Sequence, residues 1–235
     1  MTETGTNGDS CETQLAGLEA VLFDLDGTLI DTLDMIRASM RYATEHVLGE
    51  PLPDQVLMHN VGVPLITQMR EFDEVRAEEL VRVYREHNAR VHDAMVREYP
   101  GVNEGLDRLG QLGFRLGIVT SKSAAVAQRG LERFSLERFF EVIVTYDDVP
   151  VHKPDPHPLC FAAERLGVPA DKCAYVGDSP HDMTAAIRAG CLAIAALWGV
   201  SSPERVLEPG PAYAVNSMAD VSALFDGEAE RYRVS

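Results

Sequence analysis

Val21-Leu22-Phe23-Asp24-Leu25-Asp26-Gly27-Thr28-Leu29 is the stretch on which the reading of this chain turns. Three apolar residues run into Asp24, and a second acid comes two positions later. An extended chain repeats every two residues, so Asp24 and Asp26 point to the same side of a strand end. Gly27 lets the backbone turn there, and Thr28 is placed to cap or bind near the start of the next element. A strand running into an acidic turn would suffice for one Asp. Two carboxylates forced together repel, and each raises the pKa of the other unless a cation or donor intervenes. Stability alone explains that pairing poorly.

One interruption separates a first strand from a region that alternates strands and helices. Ala20 to Phe23 read as a first strand. From Leu33 to Tyr99 the apolar residues recur at helical spacing: Leu33, Ile36, Met40 and Val47, then Val75, Leu80, Val83 and Tyr84, then Val91, Met95 and Val96. Gly49 to Pro53 and Val61 to Pro64 break the helices. Such an insert is too long for an ordinary crossover and reads as an all-helical cap subdomain. After Pro100-Gly101 come helix 102–112, strand 114–119, helix 124–134, strand 142–145, helix 159–166, strand 173–176, helix 182–189, and strands 192–197 and 212–215. A C-terminal helix ends the series. The fold class is therefore α/β, a Rossmann-like parallel sheet core with an inserted helical cap. The expected division is a disordered tail over 1–17, a core over 18–32 and 100–226, a cap over 33–99 and a tail over 227–235.

The other candidate motifs fall at strand ends, where ligands of such sheets bind. Thr120-Ser121-Lys122 comes after the second core strand and offers hydroxyls and free N–H groups to a phosphate oxygen. Lys153, within Lys153-Pro154-Asp155-Pro156, offers a point positive charge. Asp178 ends a later strand in Gly177-Asp178-Ser179-Pro180-His181-Asp182. Asp182 is also well placed as the acid at a helix start. If these ends meet, Asp24, Asp26, Asp178 and Asp182 share one small space and call for a hard dication. Mg²⁺ suits them, since it prefers carboxylate and carbonyl oxygens, waters and phosphate.

Composition narrows the partners. Hydrophobic residues are 46% and charged residues 25% of the 235, the balance of an ordinary globular protein. A net charge of −16 gives no electrostatic footprint for nucleic acid or an anionic membrane. It makes an anionic substrate depend on a local cation. Cys11, Cys160, Cys173 and Cys191 lack CxxC spacing, and three sit in apolar stretches. They read as free thiols of a reducing cytoplasm. No signal peptide or membrane span is evident in the pattern.

The four motifs, in this order, resemble those of the haloacid dehalogenase (HAD) superfamily of phosphohydrolases. The resemblance covers roughly residues 20–225. It implies that Asp24 attacks phosphorus and becomes a phosphoaspartyl group, and that Asp26 protonates the leaving group and then activates water. It implies Mg²⁺ on Asp24, Asp178 and the backbone carbonyl of Asp26, with Asp182 orienting that shell. Thr120, Ser121 and Lys153 match the phosphate binders. The helical insert resembles the C1 cap of the phosphoglycolate phosphatase branch. Tyr84 to Asn88, His92-Asp93, Val144 to Val149 and Lys153 to Pro156 resemble the PpaX-type bacterial inorganic pyrophosphatases. In the cap, Asn60, Gly62 and Arg85 are expected to face a small phosphorylated substrate, pyrophosphate or 2-phosphoglycolate. For Arg85, His87 and Asn88 a solvated helix face is the competing reading. His87 and His92, five apart, do not form a metal pair. Trp198 reads as packing.

Two other functions stand against a hydrolase. A phosphosugar mutase of the same fold needs a cap acid–base pair that the sequence does not clearly supply. A non-enzymatic phospho-Asp switch also clusters acids, Thr and Lys on a parallel sheet, but DxDGT and the long insert count against it. Dehalogenation needs neither the second Asp nor a metal.

Overall fold

A computed structural model describes residues 15–234. Its centre is a six-stranded, wholly parallel sheet. The strands are β1 (Ala20–Phe23), β4 (Arg115–Val119), β5 (Val142–Val144), β6 (Cys173–Gly177), β7 (Leu192–Ala196) and β8 (Tyr213–Val215). Their spatial order is β5-β4-β1-β6-β7-β8. The chain moves outward from β1 through β4 to β5, then returns to the other side of β1 for β6. The order thus reverses at β1 and β6, and a crevice opens beyond their carboxyl ends.

Side-chain alternation sorts the two faces. Val21 and Phe23 pack with Leu106 and Leu109 of a helix over Val102–Gln111, Leu131 of one over Ala124–Phe134, and Leu224 of one over Met218–Phe225. Ala20, Leu22 and Tyr175 face the other way, onto Leu159 and Ala162 of helix His157–Leu166 and Met183 and Ala186 of helix Pro180–Ala189. With both faces covered, β1 has no exposed side chain.

The insert between β1 and the rest is helical. It comprises α1 (Leu33–Leu48), α2 (Asp54–Leu57), α3 (Leu65–Phe72) and α4 (Ala77–Met95). Ile36, Met40, Leu57, Met69, Leu80 and Tyr84 enclose a separate apolar cluster there. Two short strands tie its ends together, β2 (Ile30–Asp31) antiparallel to β3 (Arg97–Glu98). Two-residue strands carry no periodicity, which is why the sequence pattern does not show them.

The expected tails differ from the structure at both ends. Residues 1–14 lie outside the described residues, as does Cys11. Leu15 and Leu18 pack against the core. Over the expected tail 227–235, Ala229 and Tyr232 are buried, and Arg233 bridges to Tyr213. Their apolar side chains have sheet and helix to cover, so this segment folds back. Cys173 and Cys191 are buried free thiols, whereas Cys160 is free but exposed, its apolar stretch being one face of a helix whose other face is wet. Among the described residues no helix is long and apolar enough to cross a membrane.

Leu22 is fully buried in the strand that carries Asp24. Leu22→Ala should cost about 2–5 kcal/mol of unfolding free energy, read from the urea midpoint; a change below the error of the fit would contradict this packing.

Candidate active site

The crevice brings together residues from every expected motif. Asp24 comes directly after β1, and its N–H donates to the Val176 carbonyl of β6 at 2.9 Å. Asp178 comes directly after β6. Register pairs Phe23 with Val176, so Asp178 leaves its strand one residue beyond the level of Asp24 on the neighbouring strand. Asp182 lies in the first turn of helix Pro180–Ala189, where Ser179 and Asp182 form a reciprocal capping box. Asp24, Asp178 and Asp182 are 4%, 1% and 0% exposed, and each offers an oxygen within 4.8 Å of the others.

Lys153 enters this group from the loop after β5. Its Nζ donates to Asp24 Oδ1 at 2.8 Å, Asp182 Oδ1 at 2.7 Å, the Tyr175 hydroxyl at 2.9 Å and the Val119 carbonyl at 3.2 Å. Burial opposes the ammonium charge, but the Asp182 and Asp24 carboxylates outweigh it and hold Lys153 above its ordinary value. Burial pushes the Asp24 carboxyl up to about 7; Lys153 opposes that rise, and the Asp182 charge adds to it. Burial, then the charges of Asp182 and Asp24, raise Asp178 well above the carboxylate range. Fully ionised, the three acids and one ammonium would carry two negative charges in excess, the charge of one divalent cation.

The donor set fits such an ion. Asp182 is used up: Oδ1 accepts from Lys153 and Tyr175, and Oδ2 from the Ser179 hydroxyl at 2.6 Å and its N–H at 3.1 Å. Its observed bonds hold Lys153. Asp178 sits in a cradle between Gly27, at φ +78°, and Gly199, where a Cβ on either residue would overlap its carboxylate. Hard oxygen donors at the end of a sheet are the ligands that Mg²⁺ takes.

Asp26 is partly exposed, and a single oxygen, Oδ1, meets the Thr32 hydroxyl at 2.6 Å and Lys122 Nζ at 2.5 Å. Thr120 is buried, and its hydroxyl accepts from the Lys122 N–H at 3.2 Å. Ser121 donates its hydroxyl to the Gly62 carbonyl at 2.7 Å, joining the core to the insert. A cavity of about 760 Å³ lies between core and insert. Asp24, Asp26, Thr120, Ser121 and Asp178 line it from the core, and Gly62, Tyr84 and Arg85 from the insert.

The family profile of the haloacid dehalogenase-like hydrolases matches residues 21–196. The chain belongs to that family. Among its relatives, the pyrophosphatase PpaX of Halalkalibacterium halodurans is 37% identical over 204 residues, spanning 87% of this chain and 95% of that protein. The pyrophosphatase PpaX of Bacillus pumilus is 35% identical over 207 residues, spanning 88% and 96%. The crystal structure of a predicted phosphoglycolate phosphatase from Haemophilus somnus superposes with a TM-score of 0.77 at 23% identity. It covers 88% of this chain and 98% of its own, and at that identity it shows the shared fold.

Within this HAD hydrolase the cap residues expected from sequence fare unequally. Gly62 and Arg85 line the cavity. Asn60 turns away: its amide donates to both Glu71 oxygens, at 2.9 and 2.7 Å, and Val61, Gly62 and Val63 form that wall instead. Asn88 is buried rather than solvated, within reach of Ser39 and the Tyr84 hydroxyl. His87 meets Ser39 at 3.0 Å and stacks on Tyr42. Sequence reasoning missed Tyr175, whose hydroxyl touches both Lys153 and Asp182. A lone hydroxyl in an otherwise apolar core strand needs a buried partner, and that signal was available. It also missed Thr32 as a partner of Asp26, and the turn after β7, where the Val200 N–H reaches Asp178.

The charges have two measurable consequences. The folded protein keeps a proton on Asp24 that the unfolded chain has released between its ordinary 3.8 and about 7. Stability from this group is therefore lost as pH rises through that window. In chelator, the melting temperature of Asp24→Asn minus that of the parent should grow from pH 5 to pH 8; a constant difference would contradict the shift. Lys153→Met leaves the Asp24 and Asp182 carboxylates without their buried ammonium. It should cost about 3–5 kcal/mol in urea unfolding, and an unchanged midpoint would contradict the pairing.

Proposed function

We propose that this HAD hydrolase is a Mg²⁺-dependent phosphohydrolase. It transfers the phosphoryl group of a small substrate to Asp24 and then to water, with inorganic pyrophosphate as the substrate. The observation that carries the proposal is a buried carboxylate, Asp24, lining the cavity beside two further buried acids, Asp178 and Asp182, and one buried ammonium, a set whose ionised charge suits one dication. Bound there, the cation supplies the positive charge that keeps Asp24 ionised and offsets the charge of the phosphoryl oxygens.

Asp24 Oδ attacks phosphorus, forming an O–P bond as the bridging P–O bond breaks. Asp26 gives its proton to the departing oxygen. Water then attacks the phosphoaspartyl phosphorus as Asp26 takes a proton from it, and the Asp24 O–P bond breaks to release phosphate. Asp26 lines the cavity, so its reach to the leaving group is open. Asp178 serves with Asp24 and the Asp26 carbonyl as metal ligands. Asp182 holds Lys153, which with Thr120 and Ser121 binds the phosphoryl oxygens. Little covalent chemistry is available to improve in such a reaction, so positioning and charge neutralisation carry it.

Pyrophosphate is favoured over 2-phosphoglycolate by the relatives at 35–37% identity, whose names state that activity. The insert acts as a cap, residues 33–99, over a core of 18–32 and 100–226. It excludes water from the small substrate. The unpaired thiols at Cys160, Cys173 and Cys191 suit a reducing cytoplasm. Nucleic acid and membrane have no place in this reading.

Phosphate release from pyrophosphate and from 2-phosphoglycolate, measured in parallel with Mg²⁺ and with excess chelator, tests the proposal. Release from pyrophosphate should dominate, vanish with chelator and fall below detection in Asp24→Asn. Preference for phosphoglycolate would overturn the substrate, and substantial turnover by Asp24→Asn would overturn the nucleophile.

A further inference from the structure

The turn Trp198-Gly199-Val200 comes after β7 and has no role in the proposed reaction, yet it closes around Asp178. The Val200 N–H donates to Asp178 Oδ2 at 2.6 Å. The Trp198 indole N–H donates to the Thr28 carbonyl at 3.1 Å, and the Thr28 hydroxyl lies 3.5 Å from Asp178 Oδ1. Each oxygen of this carboxylate therefore faces one donor. One donor belongs to the turn, and the other belongs to a residue that the turn pins. Gly199 supplies the fit: a Cβ there would overlap both the Asp178 Cβ and its Oδ2. The Trp198 ring is steadied edge-on by Tyr99, 6.4 Å between centroids.

The same segment also touches the helical insert. Val200 packs against the apolar cluster of the insert, and Arg205 donates to the His59 carbonyl at 2.8 Å. A turn serving packing alone would have no reason to aim its backbone N–H at a buried acid. A carboxylate that must present one lone pair to a cation does need its remaining directions fixed.

We propose that Trp198-Gly199-Val200 is a positioning element for the Asp178 carboxylate, setting the direction from which it meets a divalent cation. The inference rests on the proposed metal site. Groups that orient a metal ligand typically change metal affinity about 10–100-fold when they are lost. Trp198→Phe keeps an aromatic ring against Tyr99 and removes only the indole donor. Gly199→Ala intrudes on Asp178 directly.

The test is Mg²⁺ binding to the full chain by titration calorimetry, without substrate, on the parent and both variants, with the metal-free melting temperature measured alongside. For Trp198→Phe the expectation is Mg²⁺ affinity about 10-fold weaker at a nearly unchanged metal-free melting temperature. Its turnover should return to the parent rate when Mg²⁺ is raised in proportion. Gly199→Ala should be weaker still, and if it fails to fold, Trp198→Phe decides alone. Parent-like Mg²⁺ affinity in Trp198→Phe would overturn the inference while leaving the metal site standing, as would a loss of stability with no loss of affinity. A parent that binds no Mg²⁺ would overturn both.

Discussion

Three buried carboxylates lie around one buried ammonium that reaches two of them, and the rest of the structure is arranged around that imbalance. Charges removed from water are costly unless they are paired and hydrogen-bonded. Lys153 spans Asp24 and Asp182 and is itself held by Tyr175 and the Val119 carbonyl, so one cation is divided between two acids. The third acid, Asp178, has only neutral donors around it. A fold that tolerates this is storing an affinity for positive charge. It does so where strand order reverses, the place in a parallel sheet at which backbone and side chains from several segments converge without covering one another.

The backbone makes that convergence possible. Parallel register aligns Phe23 with Val176, so the neighbouring strand ends that lead into Asp24 and Asp178 open on the same crevice, one residue out of step. Gly27 and Gly199 then let two chain segments approach Asp178 more closely than any side chain would allow. The helical insert closes the open side through Ser121 on Gly62 and Arg205 on His59, both contacts to backbone carbonyls. Contacts of that kind constrain the position of the insert without demanding a particular side chain on it. The geometry near phosphorus can thus stay fixed while the walls around the leaving group vary.

Much of this was legible in the sequence, for reasons that are local. DxDGT after an apolar run states a strand, its end, and two acids on one side. Gly177 to Asp182 states a second strand end and a helix cap in six residues. Alternating strand and helix periodicities gave the layers. What escaped was non-local or too short. Tyr175 reads as one more core residue until Lys153 is brought beside it from another loop. The Val200 N–H is a donor that almost any residue carries, so no sequence signal marks it. Asn60 was expected to face the substrate from the cap together with Gly62, but a loop's position does not fix a side chain's direction, and Glu71 captures it. The strands β2 and β3 have two residues each, below the length at which a period can be read.

The central claim is that the buried negative charge is matched by a divalent cation, and that Asp24 gives up a proton when the cation arrives. Mg²⁺ titration calorimetry near pH 6, repeated in two buffers of different ionisation enthalpy, measures this directly. Asp24 sits at about 7 without an ion, so binding should release protons, and the apparent enthalpy should depend on the buffer. Binding with the same enthalpy in both buffers, or no binding at all, would contradict the account.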